Sequence, residues 1–172
     1  MSQWRRVELY TTFLRLSGEL EGPAEQRLTD LVAECGPVLE LRGAVVDPAL
    51  DNARALIAAD GERRLSAVRS AITLVCPRDQ AGETARHREG WTEKLRLPVQ
   101  LHASAFSMLG EVHLEPGAGL AELLCDGDAG FVPVTNFSAL WFAGAGEPRA
   151  VQRGFALVNC AHLVGFGPAP PR

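Results

Sequence analysis

The chain has 172 residues, 47% of them hydrophobic and 22% charged, and a net charge of −4 at pH 7. This length and composition are typical of a globular protein with one domain or two small ones. The negative charge argues against general binding to nucleic acid or anionic lipid, and no stretch approaches the roughly 18 apolar residues of a membrane-spanning helix.

Several features bear on where the protein works. The N-terminal stretch "MSQWRRVELY" lacks the charged and then apolar layout of a signal peptide. Cys35, Cys76, Cys125 and Cys160 form no C-x-x-C pair, which favours reduced thiols in or near the core. Arginine outnumbers lysine sixteen to one, which we interpret as the codon usage of a GC-rich bacterial genome. We therefore predict a cytoplasmic bacterial protein.

The chain resembles itself at a constant offset of 92 residues. Val7 corresponds to Val99 and Gly18 to Gly110, and the apolar pattern around them agrees better than residue identity does. Repeats of this kind must be found before any motif is interpreted, because they decide the whole fold. We interpret the self-similarity as an old tandem duplication.

The duplication predicts the domain organisation. Two β-rich repeats are expected over 1–76 and 99–168. Between them, 77–98 has five basic and four acidic residues and reads as a charged linker, and 169–172 reads as a polyproline-like tail. The predicted class is α+β, rich in β structure, with two tandem copies of a small, strongly bent sheet or barrel-like domain.

Each predicted copy opens with two strands. The first alternates apolar and polar residues, as at Val7 and Leu9, which suits a sheet with one buried face. The second crosses the glycine shared by the copies, Gly18 or Gly110, where a bulge or a close backbone approach is the usual cause. A proline then ends this strand.

A short helix follows in each copy, predicted over 24–34 and 117–126 because apolar residues recur on one face. A third strand and a hairpin come next. In the first copy an Asp-Gly pair favours a hairpin turn, so strands are predicted at 54–58 and 64–69. For residues 48–53, an extra turn of helix remains an alternative.

Two sets of motifs carry a resemblance to a known family. The first copy has Arg27, Leu28, Asp30 and Leu31 in its helix, and the second has "FVPVTN" and "LVNCAHLV". Each half resembles a family of bacterial domains of unknown function, which read as G-x-L/V, R-L-x-D-x-L, F-V/I-x-L-T-D/N-A and L-x-V-N-x-x-H-I/L-V. The resemblance implies a small β-rich fold and no known activity.

A looser likeness, carried by "ALVNCAHLVGF", is to the five-stranded Sm-like barrel, whose last two strands are also separated by a polar turn. The helix is placed differently, since Sm-like domains open with theirs. Recognition of RNA also needs basic or stacking surface, whereas 5–76 has 9 arginines against 11 acidic residues, and 99–168 has 2 against 6. Nucleic-acid binding is therefore only a lesser alternative.

Candidate catalytic and metal residues are few. Cys160 and His162 stand two residues apart, with His102 and His113 in the same copy, but no second Cys/His pair has metal-ligand spacing. The stretch "LEPGAGLAEL" holds a lone G-x-G, which is weak evidence for a phosphate site. We predict no catalytic, cofactor-binding or metal-ligating residues, and hence no enzyme.

Aromatic residues are concentrated in "GFVPVTNFSALWFAG" of the second copy. Phe131, Phe137, Trp141 and Phe142 supply more aromatic area than the core of one small copy should need. Aromatic side chains contribute disproportionately to interfaces. These four residues are therefore the interface candidates, either between the copies or toward another protein.

Strict alternation along this third strand predicts its two faces. One face would carry Phe131, Pro133 and Thr135, and the other Val132, Val134 and Asn136.

The leading hypothesis is a non-enzymatic assembly or adaptor module that acts by protein–protein interaction or self-association through a pseudo-twofold pair of repeats. An alternative is a small-ligand binder or enzyme with a site between the repeats that uses His102, Cys160 and His162. A second alternative is an Sm-like nucleic-acid binder. No membrane partner and no cofactor are predicted.

Overall fold

A computed structural model of the chain describes residues 1–48, 64–79, 94–125, 130–143 and 146–170. They form one large antiparallel sheet of ten strands and two short helices. The predicted β-rich class is confirmed at this level. The predicted strand at 54–58 lies outside the described residues, as does the alternative helical turn at 48–53 except for Pro48, which ends a strand.

The elements fall into a first half (1–79) and a second half (94–170). The first half comprises β1 Ser2–Tyr10, β2 Leu14–Pro23, α1 Leu28–Glu34, β3 Val38–Pro48, β4 Arg64–Val68, a 3₁₀ turn Arg69–Ala71 and β5 Leu74–Pro77. The second half comprises β6 Leu95–Ala103, β7 Phe106–Leu114, α2 Leu120–Cys125, β8 Phe131–Trp141, β9 Arg149–Asn159, a 3₁₀ turn Cys160–His162 and β10 Leu163–Pro168.

Three boundaries differ from the predictions. Helix α1 begins four residues later than predicted, because Arg27 has an extended backbone and only caps the helix. Helix α2 begins three residues later than predicted, and Gly117, at the predicted start, has a positive φ of 89° that a helix does not accommodate. Strand β6 begins at Leu95, inside the predicted linker, because Leu95 pairs with Leu114 at the end of the β6–β7 ladder.

The strand order is β10-β6-β7-β8-β9-β5-β1-β2-β3-β4. Each half therefore has the same order, with its fifth strand beside its first, followed by the second, third and fourth. The halves join where β5 pairs with β9, the fifth strand of one with the fourth of the other. A pseudo-twofold pair would join equivalent strands. The junction observed here is instead head-to-tail.

A bulge opposite a glycine recurs in both halves. Gly18 of β2 faces residues 43–44 of β3, and Gly110 of β7 faces residues 136–137 of β8. In each pair the first residue has a positive φ, 59° and 49° respectively. An added residue opposite one partner bends the strand and increases its twist. The prediction of a bulge or a close backbone approach at the shared glycine is confirmed, with the extra residue on the strand that faces the glycine.

The bulge at Asn136 changes which residues of β8 are buried. Val132 and Val134 point into the core, as alternation predicts, but Asn136 is exposed and the buried positions resume at Phe137 and Trp141. The extra residue of the bulge shifts the alternation by one position. The prediction that Asn136 shares the face of Val132 and Val134 is therefore wrong.

Two hydrophobic cores lie on opposite faces of the sheet where the halves meet. Tyr10, Leu74 and Cys76 come from the first half yet pack in the core of the second. Val75 and Leu157 pack in the core of the first half. Successive residues of a strand point to opposite faces. Strands β5 and β9 therefore contribute side chains to both cores.

Helices are a minor part of this fold. Helix α1 has seven residues and α2 has six. Among the described residues, neither has the length or the apolar composition that a membrane-crossing helix needs.

Candidate functional site

Side-chain hydrogen bonds reinforce the β5–β9 junction. Asn159 is 5% exposed, and its Nδ2 donates to the carbonyl oxygen of Ile72 at 2.8 Å. Its backbone N–H donates to the carbonyl oxygen of Thr73 at 2.9 Å. His162 Nε2 lies 2.7 Å from the carbonyl oxygen of Ser70. The junction thus extends beyond its two ladder pairs into the 3₁₀ turns on both sides.

An aromatic cluster centred on Trp141 also joins the halves. The Trp141 ring stacks on Phe106, with centroids 6.0 Å apart, and meets the edge of Tyr10 at 5.4 Å and 90°. Its Nε1 donates to the carbonyl oxygen of Thr12 at 3.2 Å. Tyr10 and Thr12 belong to the first half. Trp141 is 1% exposed, so nearly all of its surface is buried by contacts within the chain.

A buried carboxylate with several arginines lies beside this cluster. Glu8 is 4% exposed and accepts hydrogen bonds from Arg153 of β9 and from the Tyr10 hydroxyl. Arg15 and Arg78 approach it at 3.8 and 3.9 Å. Burial, together with the Glu8 charge, raises the pKa of Tyr10 above its ordinary value. The phenol therefore remains a hydrogen-bond donor to the carboxylate.

We expect the pair formed by Glu8 and Arg153 to stabilise the contact between the halves. Arg153→Met removes the nearest partner of a buried charge and should lower the free energy of unfolding by about 2 kcal/mol, less than for a fully buried pair because Arg153 is partly exposed. A double-mutant cycle with Glu8→Gln, followed by urea unfolding, should give a coupling energy of about 1–2 kcal/mol.

The exposed pair formed by Arg6 and Glu19, 3.7 Å apart within the first half, is the matched control. Its removal by Arg6→Met should change the free energy of unfolding by less than about 0.5 kcal/mol. Equal losses for Arg6→Met and Arg153→Met would show that Glu8 makes no special contribution to the junction.

The four interface candidates occupy different environments. Phe137 is 2% exposed in the core of the second half, and Trp141 is buried against the first half. Phe131 packs against the core of the first half, with the Arg69 guanidinium 5.8 Å from its ring centroid. Phe142 is 48% exposed. Of the four, only Phe142 offers substantial surface to another molecule.

The histidines considered as ligands have separate partners. His102 Nδ1 lies 3.3 Å from the Ser107 hydroxyl, and His113 Nε2 lies 2.9 Å from the Thr135 hydroxyl. Burial lowers the pKa of His113, and the nearby Arg96 charge lowers it further. Across the described ranges, no group of three or more His, Cys, Asp or Glu residues is placed so that it could hold a metal ion.

The four cysteines are free thiols in different environments. Cys76 is buried, and burial raises its pKa to about 12, while burial raises that of Cys160 to about 11. Cys35 is half-buried. Cys125 is exposed at the end of α2, so the prediction of thiols in or near the core does not hold for this residue.

A shallow hollow of about 720 Å³ lies over the bulge of β8. Its lining includes Glu111, Asn136 and Arg153. One carboxylate oxygen of Glu111, Oε2, is buried without a hydrogen-bond partner among the described residues. The hollow is a polar depression, and the histidines discussed above are not part of its lining.

Within the described ranges, the sheet ends on two strands, β4 and β10, that each have a described neighbour on one side only. Strand β10 carries no charged residue, and its Val164 and Phe166 are 73% and 37% exposed. On β4, Val68 is 54% exposed. Unpaired strands present backbone N–H and C=O groups to which another strand can pair.

Sequence reasoning missed the residues that hold the halves together. Glu8 stands between two buried apolar residues of β1, and Asn159 follows three buried residues of β9. A polar residue inside an apolar strand is a weak signal of a buried contact, because its partners come from distant segments. Nothing in the sequence indicates that Arg153 is that partner for Glu8.

Comparisons with protein-family models, curated proteins and solved structures found no match.

Proposed function

We propose that the protein is a non-enzymatic assembly module, made of two tandem copies of one small, bent β domain, which binds other protein chains through the ends of its sheet. The observation that carries this proposal is that β4 and β10 form the two ends of the sheet built by the described residues and bear exposed apolar side chains. Addition of a strand to an open sheet edge is a common mode of protein–protein recognition.

The repeated architecture supports the two-copy part of the proposal. Both halves have the same strand order, and both place a glycine, Gly18 or Gly110, opposite a bulge whose first residue has a positive φ. The bulges and the close approach at these glycines favour a strongly curved sheet in each copy. The pairing of β5 with β9 makes the proposed arrangement head-to-tail.

A capture experiment tests the assembly function. The immobilised wild-type chain is exposed to an extract of the cells that produce it, beside a double variant with a lysine on each edge strand, Ser66→Lys and Phe166→Lys. A lysine at an edge is a device by which proteins prevent strand addition. We expect a protein partner, which can be another copy of this chain, to bind the wild type and to be lost with the edge variant.

The matched control is the double variant Val45→Lys and Leu109→Lys. These residues are 54% and 45% exposed on interior strands β3 and β7. The control has the same added charge but intact edges, so it should keep the partner. Equal capture by all three chains, or a small molecule retained by the wild type in native mass spectrometry with no protein captured, would contradict the assembly function.

A further inference from the structure

We infer that the partner of the sheet edges is a second copy of this chain, with β10 of one copy pairing with β4 of the next. This inference rests on the proposed assembly function and names its partner. The new contact would repeat the pairing of β5 with β9 that already joins the two halves.

The strand order supplies the first argument. Within the chain, the fifth strand of the first half pairs with the fourth strand of the second. Among the strands that the structure describes, those with one free side are the fourth of the first half, β4, and the fifth of the second half, β10. The sheet of each chain therefore has a fourth strand at one end and a fifth strand at the other, the same two kinds of strand that pair at the junction between the halves. Contacts between unlike surfaces build closed rings or open filaments.

The exposure of equivalent residues supplies the second argument. Val75 of β5 lies opposite Leu9, and Phe166 of β10 lies opposite Leu101, the residue 92 positions after Leu9. Val75 is fully buried and pairs with β9, whereas Phe166 is 37% exposed. A strand placed beside β10 as β9 is beside β5 would cover Phe166. The proline that ends β10 is no obstacle, since Pro77 ends β5 in the same way.

The residues that would meet are complementary in size. Leu157 pairs with Val75 at the existing junction. Leu157 of β9 pairs with the residue three positions before the bulge of β8, and Ser66 of β4 pairs with the residue three positions before the bulge of β3. Ser66 is therefore the equivalent of Leu157. The new contact would therefore join Phe166 to Ser66, a larger and a smaller residue in place of Val75 and Leu157. A large residue facing a small one keeps the filled volume nearly constant, which packed interfaces require.

Sedimentation of the full chain tests this inference. The wild type should form species heavier than the 18.5 kDa chain at micromolar concentrations. Ser66→Lys and Phe166→Lys should each weaken association at least tenfold, because each places a charge where it would be buried. Ser66 donates a hydrogen bond to Glu40 at 2.6 Å, so a lysine there can pair with Glu40 in the folded monomer.

A mixture of the two variants gives the sharper result. The Ser66→Lys chain keeps an intact β10 and the Phe166→Lys chain keeps an intact β4, so an equimolar mixture should form a dimer and nothing larger. The Val45→Lys chain should associate as the wild type does. Circular dichroism checks that each variant is folded. If either edge variant is not, Val68→Lys and Val164→Lys replace Ser66→Lys and Phe166→Lys in the experiment.

Three results would overturn the inference: a wild type that stays monomeric at all concentrations, single variants that associate like the wild type, or a mixture that remains monomeric. A result against self-association can be distinguished from a result against the assembly function. A monomeric wild type that still captures a different protein through its edges leaves the assembly function standing, whereas a monomer that captures nothing contradicts both.

Discussion

Gly110→Ala should lower the free energy of unfolding by about 2–3 kcal/mol, the range expected for overpacking a tightly packed site. A Cβ at this position would lie 2.4 Å from Cγ1 of Val134 and 2.9 Å from the carbonyl oxygen of Thr135. The side chain of Val134 can rotate, but the carbonyl oxygen belongs to the bulged backbone. The substitution therefore forces β7 and β8 apart, which urea unfolding followed by far-UV circular dichroism would measure.

Gly154→Ala is the matched control for this prediction. Gly154 lies on neighbouring β9, and nothing stands within 4 Å of the Cβ that alanine would add. Alanine there reduces the freedom of the unfolded chain and should stabilise the protein by about 0.5 kcal/mol. If both substitutions prove neutral, the close approach of β8 to Gly110 is not a constraint on the fold.

Trp141→Ala should lower the free energy of unfolding by about 4 kcal/mol, as for other fully buried aromatic residues. The change removes the ring that stacks on Phe106 and meets Tyr10, and it leaves the carbonyl oxygen of Thr12 without its donor. Native proteins are stable by only about 5–15 kcal/mol. This loss is therefore a large part of the total, and it should appear in urea unfolding followed by far-UV circular dichroism.

Phe142→Ala is the control, because Phe142 follows Trp141 in the chain but is 48% exposed. Its loss should cost less than about 1 kcal/mol, as is usual for surface positions. If Trp141→Ala left stability unchanged while association was lost, Trp141 would be a contact for another molecule rather than part of the junction between halves.

Local patterns were sufficient to predict much of each half. The alternation at Val7 and Leu9 identified β1, and the shared glycines identified β2 and β7, the strands that face the bulges. These features depend on side-chain period and backbone conformation, which neighbouring residues determine. The alternation failed at Asn136, because asparagine tolerates a positive φ without being restricted to it, so the sequence did not show on which strand the extra residue falls.

Contacts between distant segments were not predictable in this way. Tyr10 packs against Trp141, and Glu8 binds Arg153, across more than 130 residues of sequence. Each residue reads as an ordinary strand position on its own. The pairing of β5 with β9 has the same character, since two short apolar strands could equally pair with other edges.

The sequence by itself determined the β-rich class, the approximate strands of each half and the two glycines, because these follow from local periodicity and steric freedom. Only the tertiary structure decided that the halves meet head-to-tail and that Trp141 is buried between them. It also decided that β4 and β10 are the two ends of the sheet in the part of the chain that the structure describes. The physical reason is that strand pairing uses backbone groups common to all residues, so the choice of neighbour depends on which side chains are buried together across the whole fold.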